Sequence, residues 1–479
     1  MRIGLYHGYE LIGSGSNEFN RYLAKSLIEL GHEVHLICKE DNPAHVFGFE
    51  NKTHEDLCFL HKLPEEASVK PVYLTDKQRG NNVKAFIDLT DEELFEYIQE
   101  NQGYLYKILS KYKFDVLLTN HLVCQPYIAI EPCKKTNTPM YIFPHGSAIE
   151  YTVKVDDRYK KLALAAIEAC NGLIIGNREV RERIINIYPE HKELIEKKTS
   201  TVGIGVDTNL FKVVEKKDRR KSIEKIIKKE KLKGKTSSQT EELHRRLEKG
   251  ELRAVKEYQE NYIHKLPDSD IDDHIKSIPW DQKILFFAGA LTVGKGLQSL
   301  ICALPLILKI NPDVHLVVVG SGSYREVLEG LVYAISTANK GLLLDLCQNG
   351  FDLDRNNLKG CWGCVDFFLK DTKNIAAIFK YGKDLQKRVH FLGRLNHSLL
   401  QCVFPCSDLA LFPSVVPEAY GLVLSESLSN GVLPLVTYKN GFKDGLDDLV
   451  DMLGQDLVEK MKIASDDEHR IVSIITTVR

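Results

Sequence analysis

Short continuous apolar runs alternate along the chain with longer stretches in which apolar residues recur every three or four positions. Arg2 to His7 is the first apolar run and Glu33 to Cys38 the second. Between them Phe19, Tyr22, Leu23, Leu27 and Leu30 recur at helical spacing, and Gly31 is placed to stop the helix. Val116 to Thr119, Met140 to Phe143 and Leu173 to Ile175 are further strand candidates. The pattern pauses at Val202-Gly203-Ile204-Gly205-Val206-Asp207 and resumes at Ile284 to Gly289. Val314 to Val319, Arg388 to Gly393, Asp408 to Phe412 and Leu433 to Thr437 follow. Alternation of this kind predicts an α/β fold with mostly parallel sheets covered on both faces. The expected architecture is two Rossmann-like, doubly wound domains facing one another across a cleft, with charged helical insertions. Residues 1–210 form the first domain in this reading and 280–479 the second.

The stretch between them, 211–279, reads as a charged helical insertion or linker. Lys216, Lys217, Arg219, Arg220, Lys221 and Lys225 make its start basic, with Lys228, Lys229, Lys231, Lys233 and Lys235 close behind. Ile223, Ile226 and Ile227 supply only a thin apolar stripe, so the plain expectation is a solvated helical face. The sharper one is a peripheral contact with an anionic membrane surface. A second polar insertion runs from Thr337 to Lys387.

The totals narrow the class. At 479 residues the chain exceeds a single hydrophobic core. A net charge of −2 argues against a nucleic-acid binder driven by an overall positive field. No apolar run reaches the roughly 20 residues that a membrane span needs. The N-terminus enters a strand at once, without a signal-peptide pattern. Eleven scattered cysteines fit free thiols in a reducing compartment. Together these predict a cytoplasmic protein, with contact at the inner membrane face if the basic insertion binds lipid.

Candidate chemistry collects where strands end. Glu418 and Glu426 flank a turn, one in the loop after Asp408–Phe412 and one just inside the following helix. Carboxylates at such positions accept hydrogen bonds from vicinal hydroxyls; helix capping and solvation are the plainer explanation. Gly289-Ala290-Leu291-Thr292-Val293-Gly294-Lys295-Gly296 leads into an amphipathic helix whose buried face is Leu297, Leu300, Ile301, Leu304 and Leu308. Glycines, a lysine and a helix N-terminus make a phosphate cradle, although the spacing is not that of a P-loop. Gly13 and Gly15 would allow close backbone approach to a ligand, but Glu18 stands where a dinucleotide fingerprint needs its third glycine. His145 ends a strand, where it would point toward the cleft and donate a hydrogen bond or position a hydroxyl, the plainer alternative being a ring satisfied by local backbone; His121 is a weaker candidate of the same kind. Cys361-Trp362-Gly363-Cys364 lacks the second pair that a structural zinc site requires. Asp268-Ser269-Asp270 reads as a solvated acidic loop. No metal site is expected.

These residues in this order resemble the family-4 glycosyltransferases of GT-B fold. The resemblance rests on the Glu418/Glu426 pair, Gly205-Val206-Asp207, Gly31-His32-Glu33-Val34, Gly294-Lys295-Gly296, and Phe391-Leu392-Gly393-Arg394 ahead of Phe412-Pro413-Ser414. It covers 1–210 and 280–440. It implies an acceptor-side first domain and a nucleotide-sugar-binding second domain. The implied reaction moves a sugar from a nucleotide-sugar donor to an acceptor hydroxyl, with retention and without a metal or other cofactor. The acceptor, whether glycan, small molecule or lipid-linked, is not specified. By position Glu426 would bind the donor ribose, Glu418 the transferred sugar, Lys295, Gly294, Gly13 and Gly15 the phosphates, and His145 the donor sugar. Two departures stand out: Ala290 replaces the family's usual cation, and the chain stops at Arg479 where members continue. They favour the alternative of a non-catalytic GT-B protein that binds a glycan or nucleotide sugar.

Overall fold

The computed structural model describes the chain except residues 10, 12–14, 41–55, 65–69, 73–82, 227–233, 259–265, 355–359, 420 and 479; at 70, 72 and 147 it describes the backbone only. Two compact units divide between Gly203 and Ile204.

In the first unit, β1 (Arg2–Tyr6), β2 (Glu33–Cys38), β3 (Cys58–Lys62), β6 (Val116–Asn120), β7 (Met140–Phe143), β8 (Gly172–Ile175) and β9 (Thr199–Thr201) form one sheet. Its order is β3-β2-β1-β6-β7-β8-β9, and every pairing is parallel. A short pair, β4 (Lys70–Val72) and β5 (Val83–Ala85), stands apart. Strands buried on both faces carry continuous apolar runs, as β1 and β2 do. The short β9, Thr199-Ser200-Thr201, has no such run and escapes a hydrophobicity pattern.

The helix Gly15–Glu29 turns a different face inward from the one its apolar spacing suggests. Asn17, Asn20, Ala24 and Ile28 are buried, Phe19, Tyr22, Leu23 and Leu27 are half-buried, and Leu30 is exposed. The two asparagines go inside because a buried histidine, His7, hydrogen-bonds both. Gly31 ends the helix as expected, at φ 82°, with its N–H bonded to the Ile28 carbonyl.

The second unit repeats the plan with β10 (Lys283–Ala288), β11 (Val314–Val319), β12 (Val389–Phe391), β13 (Leu409–Phe412), β14 (Leu433–Thr437) and β15 (Lys462–Ile463). Their order is β12-β11-β10-β13-β14-β15, again all parallel. The helix Leu297–Ile310 is buried well beyond one stripe, because the helices Thr372–Tyr381 and Arg470–Thr477 pack on it.

Both insertions belong to this core, which corrects the expectation of solvated segments. Phe211, Ile223, Ile226, Leu243, Leu247, Ile271 and Ile275 join the sheet residues in one cluster. So do Leu343, Leu346, Trp362, Val365 and Ile378 from 337–387. Charge is buried with them. Arg219 bonds Asp408 at 2.9 Å and the Ser407 carbonyl at 3.1 Å. Lys235 is 1% exposed and donates to Glu326 at 3.2 Å and to Glu329. Asp268 is not a solvated loop residue; both its oxygens accept from Arg325 at 2.6 Å. Lys216, Lys217, Arg220, Lys221 and Lys225 remain exposed. Lys228, Lys229, Lys231 and Lys233 lie outside the described residues. No helix among the described residues is long and apolar enough to cross a membrane.

A lysine on a solvated insertion could be removed at little cost. Lys235→Ala instead strips the ammonium from two buried glutamates, and breaking such a group costs about 3–5 kcal/mol. Urea denaturation should show that loss in the unfolding of the second unit; a change within experimental error would return 211–279 to the surface.

Candidate functional site

In the second sheet the chain runs outward from β10 through β11 and β12 on one side, and from β13 through β14 and β15 on the other. Loops leaving β10 and β13 therefore diverge, and a crevice opens at the carboxyl ends of these two neighbours. The loop after β10 ends in a tight turn, Val293–Lys295, and Gly296 at φ 73° starts the helix Leu297–Ile310. The loop after β13 lies against it. The Gly294 carbonyl accepts from Val415 N–H at 2.9 Å. A Cβ on Gly296 would fall 1.9 Å from the Pro413 carbonyl oxygen, and one on Gly294 2.8 Å from Val416.

This approach brings Lys295 Nζ to Glu418 Oε1 at 2.6 Å, and Ser414 Oγ donates to the same oxygen at 2.6 Å. Burial alone would raise the Glu418 pKa; the Lys295 charge, with the bonds from Lys295 and Ser414, outweighs it and holds the carboxyl below its ordinary range. The Glu418 backbone is fixed too, by Gly441 N–H at 2.9 Å. Glu426 is the fifth residue of the helix Leu422–Ser429, about one turn in, and its carboxylate lies 4.0 Å from His397 Nε2. Sequence reasoning missed His397 and Ser414, though both follow strand ends by a few residues. Ala290 is exposed beside the turn. A cavity of about 520 Å³ lined by Gln298, Trp362, Val415, Val416, Lys439 and Arg470 includes none of the expected site residues.

The first sheet has its own switch point, between β1 and β6. His7 follows β1 directly, His121 follows β6 directly at φ 68°, and His145 follows β7 with Pro144 between. The rings of His7 and His121 stack with centroids 5.4 Å apart, and those of His121 and His145 lie 4.6 Å apart. Asn20 Nδ2 donates to His7 Nδ1 at 3.0 Å, so His7 Nε2 carries the proton given to Asn17 Oδ1 at 2.9 Å. His145 Nε2 donates to Asn120 Oδ1 at 3.0 Å. Burial, then the neighbouring histidines, lowers the pKa of His121 and pushes that of His145 down to about 3. Burial therefore favours the neutral form of the His121 and His145 rings. His7 was not singled out from sequence, yet it obeys the rule that singled out His145: a histidine at a strand's carboxyl end. Gly15 opens its helix in open space, with nothing within 4 Å of where a Cβ would lie. Gly13 lies outside the described residues. Cys364 is buried against Ser299 Oγ at 3.0 Å while Cys361 is exposed. Among the described residues no cluster of three His, Cys, Asp or Glu is arranged to hold a metal.

A folded-state pKa near 3 for His145 has a definite sign. Above the ordinary value of 6.5 both folded and unfolded forms are neutral and nothing is gained or lost. Below it the unfolded chain takes up protons that the folded state refuses, so stability falls as pH drops from 6.5 toward 3. His145→Gln should flatten that decline in thermal unfolding of the first unit; an identical slope would mean that His145 is solvated.

Residues 13–210 match the family model Glycosyltransferase Family 4, and residues 268–343 the model Glycosyl transferases group 1. An uncharacterized glycosyltransferase of Methanocaldococcus jannaschii is 26% identical over 164 residues, which are 34% of this chain and 29% of that protein. The catalytic domain of starch synthase IV from Arabidopsis thaliana, solved with ADP and acarbose, superposes with a TM-score of 0.55 at 12% identity, covering 100% of this chain and 92% of that one. Sucrose-phosphate synthase from Thermosynechococcus elongatus gives 0.51 at 15% identity, covering 100% and 94%. At these identities the two structures speak for the fold. With one model matched in each of its two Rossmann-like units, the chain belongs to the family-4 glycosyltransferases of GT-B fold.

Proposed function

We propose that this protein transfers a sugar from a nucleotide-sugar donor to an acceptor hydroxyl, with retention and with no metal in the step. The observation that carries the reading is the 2.6 Å contact between Lys295 and Glu418 at the switch point of the second sheet. It sets a cation and a hydroxyl acceptor side by side, next to a helix N-terminus. When the donor's diphosphate leaves, Lys295 and the N–H groups at the start of the helix Leu297–Ile310 stabilise the developing charge. Glu418, kept ionised by Lys295 and Ser414, accepts hydrogen bonds from the hydroxyls of the transferred sugar. Glu426 takes the ribose hydroxyls; a role for His145 toward the donor sugar rests on the family resemblance alone.

The test is nucleotide release from a panel of UDP-, GDP- and ADP-linked sugars. At least one donor should be consumed at a rate unchanged by EDTA. Consumption abolished by EDTA and restored by magnesium or manganese would overturn the metal-free step; no binding of any panel member would overturn the whole reading. Glu426→Ala should weaken nucleoside diphosphate binding by about 1.5–3 kcal/mol, the scale of a hydrogen bond to a charged group.

Ala290 favours a second reading, a protein that binds the donor without using it, because the family's second cation is missing there. Ala290→Arg separates the two. In a working site the added guanidinium should tighten binding of the best nucleoside diphosphate by about 1–2 kcal/mol, measured by calorimetry, with faster release of nucleotide. Tighter binding with no release at all would favour the binding protein.

A further inference from the structure

The match to the group 1 model ends at residue 343, and the segment beyond it supplies a buried carboxylate to the loop that carries Lys295. Asp354 follows the turn Phe351–Leu353 and is 3% exposed. Its Oδ2 accepts from Val293 N–H at 2.9 Å, and its Oδ1 accepts from Ser323 Oγ at 2.5 Å. Val293 is the first residue of the Val293–Lys295 turn, and Ser323 lies in the loop after β11. One side chain thus bridges the carboxyl ends of two neighbouring strands. The opposite side of the same residue is held as well: Gln298 Nε2, in the first turn of the following helix, donates to the Val293 carbonyl at 3.0 Å. The Gly294 carbonyl is taken by Val415 N–H. Lys295 therefore stands on a turn whose backbone is fixed from three directions, by Gln298 within the stretch that the group 1 model matches and by Asp354 and Val415 from beyond it.

We infer that Asp354 is a positioning residue: by holding Val293 N–H and Ser323 Oγ together it sets the turn from which Lys295 meets the diphosphate of a nucleotide donor. The inference rests on the donor reading of the site. Without Asp354 the Val293 N–H is a buried donor with no acceptor, so the turn reorganises to satisfy it and Lys295 moves. Geometry is what Asp354 contributes, since its negative charge on its own opposes an anionic ligand. An asparagine can keep both bonds, accepting from Val293 through its oxygen and donating to Ser323 through its nitrogen.

Calorimetry with UDP, GDP and ADP on the full chain tests this, with Lys295→Ala as the reference. Asp354→Ala should weaken the preferred nucleoside diphosphate about ten-fold, the scale of one lost charge-assisted contact. Asp354→Asn should bind as tightly as the wild type or more tightly. Hydrogen exchange at 293–296 should rise in the alanine variant and stay unchanged in the asparagine variant. Wild-type affinity in Asp354→Ala, with Lys295→Ala impaired, would overturn the inference and leave the donor site standing. Asparagine as weak as alanine would overturn it too, because the charge would then be what matters. Lys295→Ala binding like the wild type would overturn the donor reading itself. Should Asp354→Ala fail to fold, Asp354→Asn decides alone: weaker binding than wild type overturns the inference, and equal or tighter binding with unchanged exchange supports it.

Discussion

The loops after β10 and β13 touch backbone to backbone, and the candidate site of the second unit depends on that contact. Gly296 has no room for a Cβ because the Pro413 carbonyl occupies its place, and a Cβ on Gly294 would press on the Val416 side chain. Side chains at either position would push the loops apart. The short reach from Lys295 to Glu418 follows from this closeness, as does the Ser414 bond to the same carboxylate oxygen. The parallel order of the sheet brings the two loops to adjacent strand ends, and the glycines let them close the remaining distance. Neither alone would put an ammonium and a carboxylate 2.6 Å apart across 123 residues of sequence.

What was legible in the sequence was local. Apolar runs marked the strands β1, β2, β10, β11 and β14, and a glycine-rich loop after β10 marked Lys295. The glutamates were visible as a pair flanking a turn after a strand, and the family resemblance, more than the residues themselves, set them apart from ordinary helix-start carboxylates. What was not legible were polar groups whose burial depends on a distant partner. Asn17 and Asn20 look like solvent-facing positions until His7 is placed between them. Lys235 looks like one more surface lysine in a basic run, yet its partner Glu326 lies 91 residues away. Asp354 is ordinary in its own surroundings and acquires meaning only beside Val293. Hydrophobic periodicity carries no information about such pairs, because the favourable term is a specific bond and not transfer out of water.

The second unit accordingly spends much of its interior on charge. Arg325 binds Asp268 and Glu329, and Lys235 binds Glu326 and Glu329, all away from the surface. Such groups are poor sources of net stability, since desolvation offsets most of the attraction. They are strict about geometry, however, and here they fix how Lys235 and Asp268 seat against the helix Arg325–Ser336. In the first unit the comparable bonds join His7 to Asn17 and Asn20, and His145 to Asn120.

His7 has a consequence for how this family member could change. Its Nε2 reaches Asn17 ten positions along the chain, so the connection from β1 to the helix Gly15–Glu29 is closed at its base by one imidazole. A loop whose two ends are tied by something other than itself can be lengthened at small thermodynamic expense: closure entropy grows only with the logarithm of length, about 0.6 kcal/mol for each doubling. Kind is another matter at its start: Gly8, at φ 77°, has no room for a Cβ beside Gln125, and Tyr9 and Leu11 are buried. A change of length there would leave the sheet and the helix tied to each other through the same imidazole.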